Sequence, residues 1–190
     1  MALEHAILVS LRERAASGSE LTRRFDKSFG YFWSATHQQI YRTLARMESD
    51  GWIASVVVPQ QGKPDTKVYD VADRGAEVLA AWLVEPTPAT PLRSDLGVKL
   101  RGASFADDRD AVLDVVRAKL ADHHARLDLY RQMCKQQFPE PELLRDADLD
   151  RYLVLRGGIR FEEGWIGWLT EYVTAHEMAS SSSPLPQKDA

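Results

Sequence analysis

A chain of 190 residues with 44% hydrophobic and 27% charged side chains has room for one ordinary domain or two small ones. Its single cysteine, Cys134, excludes an intramolecular disulfide framework and suits a reducing cytoplasm. The formal net charge of −4 offers no overall basic footprint for a nucleic acid, and no apolar run approaches the ~18 residues of a membrane span. Met1–Ser10 carries Glu4 and no basic leader, so no secretory signal is expected. The expectation is a soluble cytoplasmic protein with no membrane contact.

Leu3, Ile7, Leu8 and Leu11 recur at helical spacing and predict a first helix over residues 2–16. Ser17-Gly18-Ser19 breaks it, and Ser19 with Glu20 is the expected cap of a second helix over 20–28. That helix turns Leu21 and Phe25 inward and Arg23, Arg24 and Lys27 outward. Residues 29–33 (FGYFW) read as an aromatic turn packed between helices. Ser34 or Thr36 then caps a third helix whose apolar face is Ile40, Leu44 and Met47. On its other side lie Ala35, Gln38, Arg42, Ala45 and Ser49, flanked by Gln39, Tyr41 and Arg46. That face holds no carboxylate, and glutamine with arginine matches the hydrogen-bonding edges of bases. Arg23, Arg24, Lys27, Arg42 and Arg46 stand against Asp26 alone over this stretch, so positive charge gathers locally despite the acidic total.

Asp50-Gly51 stops the third helix, because glycine enters the left-handed conformation at low cost. Residues 52–58 (WIASVVV) are apolar and β-branched, which favours a strand. A loop with proline and glycine over 59–66 and a second strand over 68–71 complete a hairpin with a lysine at its tip. A helix followed at once by such a hairpin is a winged helix. Here the sequence resembles the PadR family of bacterial transcriptional regulators. The matching residues are Ile40-Tyr41-Arg42-Thr43-Leu44, the run from Leu44 to Gly51, Gly62-Lys63, Tyr69, and the Arg74-Gly75 step.

The resemblance implies a DNA-contacting set of Ser34, Thr36, His37, Gln38, Gln39, Tyr41, Arg42, Arg46, Lys63 and Lys67. Gln38, Gln39 and Arg42 are expected to read bases, while Tyr41, Lys63 and Lys67 position phosphates. The sequence departs from the family pattern at three places. Val71-Ala72 stands where a Leu-Thr pair is usual, which leaves Asp73 as the expected cap of a helix over 73–85. Ser19 replaces an aromatic, and Asp65 puts an acid in the wing.

Residues 86–94 (PTPATPLRS) read as a stiff linker between a winged-helix domain over 1–85 and a helical domain over 95–179. A long helix over 107–138 carries the seam Val112, Val116, Leu120, His123, Leu127, Tyr130 and Cys134, spaced almost as a heptad. A last helix over 150–178 aligns Leu155, Ile159, Ile166, Leu169 and Val173, and a serine- and proline-rich tail over 180–190 is expected to be disordered. Long helices with narrow seams pair, so this half reads as a homodimerisation module. The fold class expected is mainly α with a small β-wing. Gly157-Gly158 within the last helix suggests close helix packing.

No catalytic constellation assembles: HExxH, CxxC and a phosphate-cradling glycine loop are all missing, and no cofactor is expected. Adjacent His123 and His124 diverge by about 100° on a helix and cannot share a metal. Phe161, Trp165, Trp168 and Tyr172 form an aromatic group on the last helix, read either as core or as an effector site at a dimer interface. Regulators of the resembled family often release DNA on binding phenolic or other aromatic compounds, which gives the second reading its chemistry. The expectation is a repressor that binds double-stranded DNA as a homodimer. The rival is a winged helix that binds protein instead, which the acidic total favours and the acid-free outer face of the third helix opposes.

Overall fold

The computed structural model describes residues 2–27, 35–59, 65–87 and 94–181, and the chain divides into two compact units, 1–90 and 91–190. The aromatic turn at 29–33, Ser34 and Lys63 lie outside the described residues, as do 88–93 of the linker and 182–190 of the tail.

The first unit holds α1 (Ala2–Glu13), β1 (Ala16–Ser17), α2 (Gly18–Lys27), α3 (His37–Ser49), β2 (Ile53–Val58), β3 (Thr66–Val71) and α4 (Asp73–Leu83). Ile7, Leu8 and Leu11 of α1, Leu21 and Phe25 of α2, and Ile40, Leu44 and Met47 of α3 meet in one core, joined by Ile53, Tyr69 and Leu79. Side chains so buried contribute about 1.5–3 kcal/mol each. Helix α1 ends earlier than its periodicity predicts, because Ala16 and Ser17 leave to pair antiparallel with Tyr69 and Val68. The released C-terminal carbonyls of α1 need donors. Arg24 supplies them, donating to the carbonyls of Ser10 (2.9 Å), Arg14 (2.7 Å) and Ala15 (3.3 Å).

Ser17, not Ser19, caps α2. Its backbone N–H donates to Glu20 Oε2 at 2.8 Å while Glu20 N–H donates to Ser17 Oγ at 3.3 Å, a reciprocal capping box. The Ser17 backbone and hydroxyl together hold the Glu20 carboxyl below its usual range. Asp73 does not cap α4: the cap position is Ala72, which gives no side-chain hydrogen bond, and Asp73 is the first helical residue.

The sheet order is β1-β3-β2, and β2 pairs antiparallel with β3 from Ile53↔Val71 to Val58↔Thr66. Only its base enters the core. Val56, Val57 and Val58 are 68%, 59% and 43% exposed, because this part of the ribbon projects past the helices that would cover it.

Glycine is required at two points around the turn into the hairpin. Gly51 has φ +72°, and its N–H donates to the Glu48 carbonyl (3.1 Å) while Trp52 N–H donates to Met47 (2.8 Å), closing α3 in a Schellman motif. The Trp52 carbonyl then accepts from Ala72 N–H at 3.0 Å. A Cβ on Gly75 would stand 2.0 Å from that same oxygen, so only glycine lets α4 lie there.

The second unit holds α5 (Asp95–Arg101), a 3₁₀ turn (Ala103–Phe105), α6 (Arg109–Gln137), a second 3₁₀ turn (Pro141–Leu143) and α7 (Asp146–Ser181). Ser94 at the end of the predicted linker is the cap of α5, accepting from Gly97 N–H at 3.1 Å. Helices α6 and α7 run antiparallel, for Arg117 meets Glu177 at one end and Phe138 meets Tyr152 at the other. Leu100, Val116, Leu169 and Val173 form a shared core, with Val112, Leu120, Trp165 and Tyr172 packed against it. The α6 seam is therefore covered from within the chain. Gly158 admits the Tyr130 ring, 3.3 Å from where its Cβ would be, while a Cβ on Gly157 would meet nothing within 4 Å.

Glu162 interrupts the inner stripe of α7 and is only 8% exposed. It is satisfied by His123 Nδ1 at 2.5 Å and Arg126 Nε at 3.2 Å, which offset the cost of burying a carboxylate. Helix α7 continues through Ser180 and Ser181, two residues into the segment expected to be disordered. Among the described residues, no helix is long and apolar enough to cross a membrane.

Candidate nucleic-acid interface

Three buried apolar residues fix the azimuth of α3. With Ile40, Leu44 and Met47 in the core, His37, Gln38, Tyr41, Arg42, Ala45 and Arg46 are exposed. The helix begins with a capping box: Gln39 N–H donates to Thr36 Oγ1 at 3.2 Å, and Thr36 N–H donates to Gln39 Oε1 at 2.8 Å. The Gln39 carbonyl oxygen is thus committed to the helix start. Ala35, expected on the outer face, is half-buried and packs against the core. Tyr41 lies across the start of α2, where a Cβ on Gly18 would stand 2.6 Å from its ring. That contact places the phenol beside the first turn of the preceding helix.

Two cations of the basic cluster, and Lys67 of the wing, are already engaged. Arg24 serves the carbonyls that end α1. Arg46 forms an ion pair with Glu4 of α1. Burial would raise the Glu4 carboxyl, but a backbone hydrogen bond and the Arg46 charge hold it lower than usual. Lys67 donates to Glu48 at 2.6 Å, and its ammonium lies 5.4 Å from the centre of the Tyr69 ring. Hydrogen bonds from Lys67 and Ser55 depress the Glu48 carboxyl, and the same pairing raises Lys67. The surface most open to a duplex is therefore His37, Gln38 and Arg42, with Tyr41 beside them. From the sequence alone, neither Glu4 nor Glu48 had a part in this surface. Their partners lie 42 and 19 residues away, and no local pattern marks such pairs.

The four aromatics of α7 divide between two environments. Trp165 stacks on His123 (5.2 Å between ring centres, 6° between planes) and Tyr172 packs near Leu100, so both face the α6 side. Phe161 is 74% exposed and Trp168 is 40% exposed, although Trp168 still leans on Trp165 at 5.3 Å. An apolar hollow of about 400 Å³ lies elsewhere, lined by Leu96, Lys99, Leu100, Ala103, Val112 and Val115 among others, and none of the four aromatics lines it.

Comparison with known proteins matches both units. The model of the transcriptional regulator PadR-like family matches residues 7–81, and that of the virulence activator alpha C-terminal family matches 92–177. The chain is 51% identical over 185 residues to a probable transcriptional regulator of Mycobacterium tuberculosis, Rv1176c, spanning 92% of this chain and 97% of that one. It is 32% identical over 171 residues to the negative transcriptional regulator PadR of Bacillus subtilis, spanning 88% and 93%. Crystal structures of that Bacillus protein with operator DNA (TM-score 0.83, 27% identity, 92% and 97% covered) and with p-coumaric acid (TM-score 0.75, 27% identity, 92% and 98% covered) share the architecture. The match runs through α3 and the wing into the C-terminal helices, and the chain belongs to the PadR-like family of transcriptional regulators.

Proposed function

We propose that this regulator acts in the cytoplasm as a homodimeric repressor on a pseudo-palindromic operator. In this reading residues 1–85 bind DNA, 86–94 connect, and 95–179 dimerise. The observation that carries it is the acid-free, exposed outer face of α3 beside a projecting wing, in a chain similar to a regulator crystallised on its operator. Helix α3 enters the major groove, with Gln38 and Arg42 at base edges. Ser34, Thr36, His37, Gln39, Tyr41 and Arg46 serve the surrounding contacts, and Lys63 grips the backbone from the wing. A gel shift with the DNA upstream of its own gene tests the reading. Gln38→Ala and Arg42→Ala should each relax preference at one base pair by about 1–3 kcal/mol. Lys63→Ala should weaken operator and unrelated duplex alike and flatten the salt slope by roughly one unit. A duplex retarded no better than scrambled DNA would count against the whole assignment.

The dimer contact is better placed on α7 than on the α6 seam. Leu153, Gly157, Phe161, Gly164 and Trp168 follow a 4-4-3-4 spacing and share one exposed or half-exposed stripe. It runs nearly opposite the inner stripe of Leu155, Ile159, Leu169 and Val173. A Cβ on Gly157 or Gly164 meets nothing within 4 Å, which leaves room for a second helix to approach closely. A second copy of α7 presents the complementary stripe, as a two-fold contact requires.

An aromatic effector fits the same region, with Phe161 and Trp168 outward and Trp165 and Tyr172 flanking them. The p-coumaric acid complex of the Bacillus relative supplies the chemical class. Phenolic acids titrated against tryptophan fluorescence should quench Trp168 and weaken operator binding, and operator should weaken the acid by the same factor. Quenching that survives in both Trp165→Leu and Trp168→Leu would place the pocket elsewhere.

A further inference from the structure

The outer face of α3 is free of acid, but Glu48 stands half-buried on the flank of its last turn. Its two carboxylate oxygens go to different strands of the wing. Oε1 accepts from Ser55 Oγ on β2 at 2.5 Å, and Oε2 accepts from Lys67 Nζ on β3 at 2.6 Å. Ser55 is the register partner of Tyr69, whose ring lies under the Lys67 ammonium and is itself buried in the core. One side chain thus ties both strands, at Ser55 near the base of the projecting ribbon and at Lys67 opposite Val57, to the helix that faces the groove. Alongside this bracket Val56, Val57 and Val58 are exposed, so little apolar packing holds the ribbon at a given angle.

The bracket also decides what Lys67 can do. Its charge is matched by Glu48, and a phosphate brought to it would meet that carboxylate as well. We propose that Glu48 is a positioning residue for the wing on DNA, and that Lys67 is a strut held by Glu48 rather than a phosphate contact. The inference rests on the DNA-binding reading above and assigns to this bracket the task of aiming the wing, leaving the gripping to other cations.

Full-length protein tests it. A duplex selected by the wild type from a randomised pool serves as operator, and a scrambled duplex of equal length serves as the non-specific probe. Affinities are measured across a salt series for wild type, Lys67→Met, Glu48→Gln, Ser55→Ala and the Glu48→Gln/Lys67→Met pair. Each charged single variant should lose about threefold to tenfold in operator affinity, and the pair no more than the worse single, since both break one bracket. Lys67→Met should leave the slope of log affinity against log salt unchanged, whereas loss of a phosphate contact flattens it by roughly one unit. Glu48→Gln frees the ammonium, so it should tighten the scrambled duplex while weakening the operator. Ser55→Ala removes one arm without touching charge and should weaken the operator at constant slope. A slope flattened by Lys67→Met, or losses that multiply in the pair, would overturn the strut. A wild-type protein that selects no sequence overturns the DNA-binding reading as well, and is recognised before any variant is compared.

Discussion

Leu127→Asp should unfold the α6–α7 hairpin rather than yield a folded monomer. Leu127 is 5% exposed within a single chain, so the substitution would force a carboxylate into a position now filled by a buried apolar side chain. Leu→Ala at such a site costs about 2–5 kcal/mol, and an unpaired charge costs more. A domain stable by about 5–15 kcal/mol cannot absorb much of that. The hairpin consists of helices of 29 and 36 residues whose facing apolar stripes are narrow, so few other contacts between them remain to absorb the loss. Circular dichroism should show much of the helical signal lost at temperatures where the wild type is folded. Leu120→Asp should cost less, because Leu120 is only half-buried. A Leu127→Asp protein with native helicity and cooperative melting would mean that α6 pairs between chains after all.

The opposite behaviour is expected of Phe161→Glu/Trp168→Glu. Both residues are exposed in one chain, at 74% and 40%, so the folded protomer tolerates the charges and helicity should be retained. If α7 meets a second α7, four carboxylates would face one another across the two-fold axis, and the dimer should dissociate in light scattering at micromolar concentration. Operator affinity should then fall by ~10²-fold or more, because binding one half-site no longer raises the effective concentration of the second DNA-binding unit. A double variant that stays dimeric moves the interface off this stripe. Dissociation without loss of DNA binding would instead separate dimerisation from recognition.

The two variants together divide what periodicity marks from what it leaves open. The α3 face, the turn at Gly51, the hairpin and the long helices were all legible, because each rests on local rules: side-chain period, left-handed glycine and β-branching. Gly51 adopts φ +72° as its position demands, and Thr36 closes a capping box with Gln39, three residues along the chain. Family membership was readable for the same reason, since its motif is an ordered run of such local signals. Ser17 instead of Ser19 as the cap of α2 turned on the short strand β1, which exists only because β3 returns to pair with it. The α6 seam looked the same whether its partner was another chain or α7, because a heptad specifies a partner helix without specifying whose it is. Charge behaved likewise. Arg24, Arg46 and Lys67 counted as free cations in the sequence, and each is engaged by a group brought to it through folding: the end of α1, Glu4, and Glu48. A side chain's charge is a property of the residue, but its availability to a phosphate depends on contacts made across tens of residues, and only the tertiary structure decides those.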